Sequence, residues 1–194
     1  YQKQEAQSEM RKNRLNNKNS PRTVKELKKS GYTVKPVKAE LRDNLIEKMQ
    51  KGEKIFSGIV GYDETVIPQI QNAIFSYHDF IFLGLRGQAK SKMLRGLIDF
   101  LDEEIPIVEG CEINDDPYMP VCKRCHDLKI ELGDDLPVVW LHREQRYAEK
   151  LATPDVSNAD LIGDIDPIKA AAQKLHYSHE GTIHYGIIPR MNRG

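Results

Sequence analysis

The chain contains 194 residues, of which 39% are hydrophobic and 30% are charged, a composition typical of about one globular domain. Its 29 Lys and Arg residues balance 29 Asp and Glu residues, and a net charge of zero argues against a uniformly basic nucleic-acid-binding protein. Because the sequence lacks a signal-peptide core and an apolar run of the roughly 18 residues that span a membrane, we expect a cytoplasmic protein without a membrane partner.

The first 30 residues concentrate positive charge. Nine Lys or Arg residues stand there against Glu5, Glu9 and Glu26, a net charge of +6. Residues 1–20 contain no Val, Ile or Phe, so they offer little to a core. We therefore predict a polar, basic, flexible arm over 1–30, followed by a helical lead-in over 31–54. The alternative is an arm that binds nucleic acid or an acidic partner.

Two amphipathic helices are predicted before residue 80. Residues 39–51 repeat an apolar side chain every fourth position, at Leu41, Leu45 and Met49, and Gly52 ends the pattern. Residues 63–76 carry apolar side chains on one side, at Val66, Ile67, Ile70 and Ile74. Pro68 falls within the first turns of this second helix, where proline is tolerated.

Strands and helices alternate in the rest of the chain. The apolar run at 79–83 is typical of a buried parallel strand, and an amphipathic helix follows it from about residue 90 to Leu101. Further strands are predicted at 105–108 and 137–141, and a helix with proline in its first turn at 167–176. This alternation predicts an α/β fold in which helices flank a parallel sheet.

The loop between the strand at 79–83 and the next helix approximates a phosphate-binding P-loop. Gly84 opens the G-x-x-x-x-G-K-[ST] pattern and Lys90-Ser91 close it, although Ala89 replaces the second glycine. Gly84 and Gly87 let the backbone turn its N–H groups inward. Lys90 is the candidate catalytic residue because its ammonium would bridge the β- and γ-phosphates, and the Ser91 hydroxyl would ligate Mg²⁺. Ala89 costs little provided that its position does not need a positive φ.

The three cysteines form a second candidate site. Cys122 and Cys125 make a C-x-x-C pair with Cys111 eleven residues upstream, and His126 or His142 would complete a tetrahedral Zn²⁺ site. The pattern lacks a second C-x-x-C pair, so incidental free thiols, a redox pair and c-type haem attachment stay open as alternatives. Asp115-Asp116 lies within an acidic stretch, 98–118, that either binds a cation or a basic partner or is simply solvated.

The sequence resembles AAA+ ATPases of the magnesium-chelatase ATPase-subunit and MoxR branch. The resemblance rests on Ile59-Val60-Gly61-Tyr62-Asp63, on Leu83-Gly84-Leu85-Arg86-Gly87-Gln88-Ala89-Lys90-Ser91, and on the segments 161–170 and 186–194. It covers about residues 55–194, which would form the N-terminal part of an AAA+ nucleotide-binding domain. Ala before Lys is common in MoxR-type loops, so the resemblance makes Ala89 a family trait.

The resemblance implies specific roles and partners. Val60, Gly61 and Tyr62 would lie near the adenine of ATP, and the triphosphate and Mg²⁺ would be held by Gly84, Arg86, Gly87, Gln88, Ala89, Lys90, Ser91 and Lys92. The relatives assemble into rings, usually hexamers, and use ATP to remodel a partner protein. The hydrolytic Asp-Glu strand, the sensors, the arginine finger and the lid would follow Gly194, so we expect this chain to bind ATP but hydrolyse little of it.

Two other functions fit the sequence. One is a non-enzymatic binding module, in which a zinc site or the basic arm acts and the P-loop-like turn is structural. The other is a P-loop kinase of a small molecule, although the long His-containing stretch before any acidic motif argues against it.

Overall fold

The computed structural model describes residues 20–174, 176 and 179–194, and the chain divides into two compact units. We call the first the loop unit, because it contains the predicted phosphate loop; it comprises Val34–Glu104, His142–Tyr147 and Arg193–Gly194. We call the second the cysteine unit, because it contains all three cysteines; it comprises the described parts of Tyr1–Thr33, Ile105–Leu141 and Ala148–Asn192. Most of the predicted arm, residues 1–19, lies outside the described residues.

The described helices and strands follow one another along the chain. The α-helices are α1 (Val24–Lys29), α2 (Val37–Gln50), α3 (Val66–Phe75), α4 (Lys90–Gly96), α5 (Lys123–Leu132), α6 (Asn158–Leu161), α7 (Pro167–Gln173) and α8 (Ile187–Arg190). The strands are β1 (Glu104–Val108), β2 (Val138–His142), β3 (Gly163–Ile165) and β4 (Ile183–Tyr185). Short 3-10 helices occupy Leu97–Phe100, Gly133–Asp135, Arg143–Arg146 and Glu180–Thr182.

Helices build the core of the loop unit. Its buried side chains are Leu45, Phe56, Ile59, Ile67, Ile70, Ile74, Met93 and Phe100. The helices predicted at 39–51 and 63–76 are confirmed as α2 and α3, shifted by three residues or fewer at each end. Leu45 of α2 is fully buried in the same core as residues after 55, so residues 34–54 of the predicted lead-in belong to this unit.

The helix predicted after the phosphate loop changes character part-way. It is α-helical only to Gly96 and continues as a 3-10 helix over Leu97–Phe100. Glycine at position 96 is required by packing, because a Cβ there would lie 2.7 Å from Cδ1 of the Phe56 ring. Glycine is also a poor helix former, which favours the end of the regular α-helix at this point.

Each sheet of the described residues has two strands. β3 and β4 are antiparallel, with Asp164 opposite His184. In the other sheet, the Glu109 N–H donates to Pro137 O and the Arg143 N–H to Glu103 O, so β1 and β2 also run in opposite directions. The predicted strands at 105–108 and 137–141 are therefore confirmed, but these residues show no parallel sheet. An apolar run indicates burial, whereas strand direction depends on which distant segment pairs with it.

The core of the cysteine unit gathers segments that are distant in sequence. Its buried residues are Val24, Val108, Ile113, Cys122, Cys125, Leu136 and Val138. Val24 belongs to α1, which is capped by Thr23, so residues 24–29 are not the solvated arm expected there. The helix predicted at 167–176 is α7, capped by the Asp166 carboxylate. No helix in the described part of the chain has the length and apolar character needed to cross a bilayer.

Candidate functional site

Residues 79–83, which lead into the phosphate loop, form no regular secondary structure and pair with no strand among the described residues. Phe80 and Phe82 pack against the core of the loop unit, edge to face with their ring centres 5.4 Å apart. Ile81 and Leu83 alternate with them and are 84% and 90% exposed. The segment thus has the two-residue periodicity of a strand with one packed face, and the prediction of a fully buried strand was wrong.

The phosphate loop owes its shape to three positive φ angles. Gly84 has φ +156°, Gly87 +82° and Ala89 +56°. A Cβ on Gly84 would lie 2.1 Å from Oε1 of Gln88, so any other residue there would displace that side chain and would also be strained at this φ. Ala89 occupies the left-handed region immediately before α4, so the condition under which alanine would cost little is not met.

The Lys90 ammonium folds back over the loop that precedes it. Its Nζ donates a hydrogen bond to Gly84 O at 2.8 Å and another to Leu85 O. The loop contains no carboxylate, so backbone carbonyls satisfy the ammonium. Carbonyl partners are uncharged, and an anion can replace them more readily than it could replace an ion pair.

The turn predicted to contact adenine lies beside this loop within the same unit. The Tyr62 hydroxyl is 3.5 Å from Gln88 O, and Lys92 Nζ donates to Gly58 O at 2.6 Å. Gly61 has φ +85°, and Val60 is 83% exposed. The remaining predicted residues, Arg86, Gly87, Gln88 and Ser91, are exposed. These two contacts place the turn at 58–62 next to the loop at 84–92 within the loop unit.

The cysteine cluster of the other unit combines Cys111, Asp115, Cys122 and Cys125. One ligand atom from each residue lies within 4.8 Å of every other one. Cys111 follows the turn after β1, Cys122 caps α5 and Cys125 lies in the first turn of that helix. All three cysteines are free thiols.

Neither histidine proposed from the sequence belongs to this group. The His126 side chain is 61% exposed, and His142 accepts a hydrogen bond at Nδ1 from the Glu144 N–H. Burial raises the pKa of the Cys122 thiol to about 12 and also raises that of Cys125.

Known proteins resemble the chain at the level of sequence. It is 30% identical over 142 residues to the magnesium-chelatase subunit ChlI-2, chloroplastic, of Arabidopsis thaliana, an alignment that covers 72% of this chain and 31% of the relative. It is 40% identical over 140 residues to the magnesium-chelatase subunit ChlI homolog of Methanocaldococcus jannaschii, covering 71% of this chain and 35% of that one.

The chain is a relative of the magnesium-chelatase subunit ChlI. A third match, the chloroplastic ChlI subunit of Nicotiana tabacum, is 29% identical over 154 residues, or 78% of this chain and 34% of the relative. The predicted resemblance to the magnesium-chelatase branch is thus confirmed. The chain spans about a third of the length of these curated relatives. No protein-family model and no solved structure matches it.

Two buried charged residues of the loop unit were not predicted from the sequence. Glu40 and Arg146 are 3% and 2% exposed and form an ion pair inside this unit. Glu40 also accepts a hydrogen bond from the Asp102 N–H, and Asn44 donates to Asp102 Oδ1 at 2.8 Å. No local signal could have revealed the ion pair, since its partners are 106 residues apart.

Proposed function

We propose that this chain forms the ATP-binding part of an AAA+ ATPase of the magnesium-chelatase and MoxR type. The observation that carries the proposal is the position of the Lys90 ammonium, held by the carbonyls of Gly84 and Leu85 at the turn of a P-loop-like segment. The similarity to ChlI also supports it, since the alignments cover 72% and 71% of the chain and extend well beyond this loop.

The chemistry of the loop suits a nucleotide triphosphate. The loop supplies cations and glycine backbone without a competing carboxylate, as an anion requires. Lys90 and the backbone around Gly84 and Gly87 would hold the phosphates, with Arg86, Gln88, Ala89 and Lys92 at their edge. Ser91 would supply a hydroxyl to Mg²⁺, and Val60, Gly61 and Tyr62 would contact the base. Bound Mg²⁺ would neutralise the phosphate charge.

Further properties of the family belong to the same proposal. Residues 55–194 would be the N-terminal part of the AAA+ domain, in which 79–83 would lead into the phosphate loop. The complete protein would assemble into a ring, usually a hexamer, that couples ATP hydrolysis to remodelling of a partner protein. Within this proposal the chain binds ATP and hydrolyses little of it.

Calorimetric titration of the full chain with a non-hydrolysable ATP analogue, with and without Mg²⁺, tests the proposal. Binding should require Mg²⁺ and should weaken by about tenfold or more in Lys90→Ala, because charge-assisted hydrogen bonds are lost. Lys54→Ala, which removes an exposed lysine of the same unit outside the loop, is the matched control and should bind as the wild type does. Unchanged binding by a folded Lys90→Ala variant would contradict the proposal and favour the non-enzymatic binding module.

A further inference from the structure

We propose that Cys111, Asp115, Cys122 and Cys125 bind one tetrahedral Zn²⁺ ion, with the Asp115 carboxylate as the fourth ligand. This site is independent of the proposed nucleotide site. It also differs from the zinc site suggested by the sequence, in which a histidine would complete the set. All four residues lie in the cysteine unit.

The distances match tetrahedral coordination. The four ligand atoms all lie within 4.8 Å of one another, and the Cys111 and Cys122 sulfurs are 4.0 Å apart. Two thiolates at the usual Zn–S bond length of about 2.3 Å from a tetrahedral ion are about 3.8 Å apart. A disulfide needs a separation of about 2.05 Å, so the sulfurs are placed for a shared ion and not for a covalent bond.

The Asp115 carboxylate supplies the second, independent observation. Asp115 is 0% exposed, and its Oδ2 accepts a hydrogen bond from the Cys122 N–H at 2.9 Å. Its Oδ1 is also buried but has no hydrogen-bond partner among the described residues. A buried carboxylate oxygen without a partner is costly and rare in folded proteins. A cation held between this oxygen and the three sulfurs would satisfy it.

Backbone N–H groups already point at two of the sulfurs. The Asp115 N–H donates to Cys111 Sγ, and the Cys125 N–H donates to Cys122 Sγ, each at 3.4 Å. The Arg124 guanidinium donates to Gly110 O at 2.9 Å and thereby holds the turn before Cys111. Such hydrogen bonds orient thiolate ligands and stabilise their charge, as the outer partners of metal sites usually do.

The ligand set and its surroundings indicate a structural ion. Four protein ligands fill a tetrahedral shell and leave no position for a substrate. Apolar side chains surround the cluster, among them Val24, Val108 and Leu136. An ion would fasten the turn after β1 to the start of α5. Cys122 also lines a cleft of about 370 Å³, which gives the ion a route from solvent.

Metal analysis of the purified full chain, expressed with zinc in the medium, tests the site. We expect about one Zn²⁺ per chain, and visible absorption of tetrahedral cobalt thiolate when Co²⁺ replaces it. Asp115→Asn should weaken Zn²⁺ binding by roughly tenfold or more. Asp116→Asn is the matched control, because its carboxylate binds the Tyr118 N–H and lies outside the cluster. It should retain the metal, and so should His126→Ala.

A measurement on the wild-type chain avoids variants that fail to fold. Removal of the metal by a strong chelator should lower the Tm, and Zn²⁺ but not Mg²⁺ should restore it. A folded chain that carries no metal and binds no Co²⁺ would overturn the proposal, as would the absorption of an iron–sulfur cluster. Loss of Zn²⁺ from His126→Ala with full retention in Asp115→Asn would overturn the assignment of the fourth ligand.

Discussion

Glu40 and Arg146 form a doubly hydrogen-bonded ion pair in the interior of the loop unit. Arg146 Nη1 donates to Glu40 Oε1 at 2.6 Å, and Nη2 donates to Oε2 at 2.7 Å. Arg146 Nε donates in addition to Arg193 O at 2.9 Å. The pair joins α2 to the 3-10 helix at Arg143–Arg146, and both side chains give up their contact with water to form it.

Removal of one partner of this pair should destabilise the loop unit strongly. In Arg146→Ala the Glu40 carboxylate stays buried without a counter-charge, so we expect a loss of about 3–5 kcal/mol in the free energy of unfolding. Urea denaturation followed by circular dichroism measures it. Arg143→Ala, which removes a more exposed arginine 3.6 Å from Asp99, is the control and should cost less than about 1 kcal/mol. An equal, small effect of both substitutions would contradict a structural role for the buried pair.

Ala89→Gly should stabilise the loop unit. Ala89 has φ +56°, where a Cβ destabilises the folded state by about 1–2 kcal/mol. Glycine has an opposing cost of about 0.4–1 kcal/mol, because it increases the conformational entropy of the unfolded chain. The net expectation is a gain of about 0.5–1 kcal/mol in urea denaturation, with nucleotide binding retained. Ala73→Gly, inside α3, is the matched control and should lose about 1 kcal/mol. Destabilisation by both substitutions would show that the left-handed conformation at residue 89 is not adopted in solution.

The stability of the first turn of α6 should depend on pH. The backbone N–H and then the hydroxyl of Ser157 donate to the Asp160 carboxylate and hold its pKa below the usual range. Because the folded-state pKa is depressed, this contribution is fully present above the ordinary aspartate pKa and is lost as the pH falls through the folded value. Carboxyl NMR titration of Ser157→Ala should show the Asp160 pKa raised.

Asp155 provides a control for the same titration. Its pKa is lowered chiefly by a hydrogen bond from the Thr153 side chain, so Thr153→Ala should raise the pKa of Asp155 and not that of Asp160. Equal shifts of both carboxyl groups in either variant would show a general electrostatic change and contradict local capping.

Periodicity predicted the helices better than the sheets. α2 and α3 were found from the spacing of residues such as Leu45 and Ile70, because one packed face imposes a repeat that is visible locally. The segments of β1 and β2 were found from short apolar runs, but such runs contain no information on strand direction. The same limit explains residues 79–83, where apolar content suggested two buried faces and the structure packs only one.

In the candidate sites, too, residues close together in sequence were predictable, whereas contacts created by folding were not. The phosphate loop is contiguous, so its residues could be identified in order from Gly84 to Ser91. The cysteine spacing indicated a cluster, but Asp115 joins it only because the chain folds back between Cys111 and Cys122. His126 or His142 was the expected fourth ligand because three thiols leave one tetrahedral position open, whereas α5 leaves His126 exposed to solvent.

The backbone hydrogen bond between Glu103 and Arg143 indicates where the chain could be shortened. The chain leaves the loop unit after Glu104 and re-enters it at His142, and the Arg143 N–H lies 2.9 Å from Glu103 O. This exit and this re-entry are therefore neighbours, although the chain leaves the loop unit again after Tyr147 and returns to it at Arg193. A short turn substituted for 105–141 would reconnect the loop unit without moving either junction. Truncation at residue 104, in contrast, would delete Arg146 and leave the buried Glu40 carboxylate without its counter-charge.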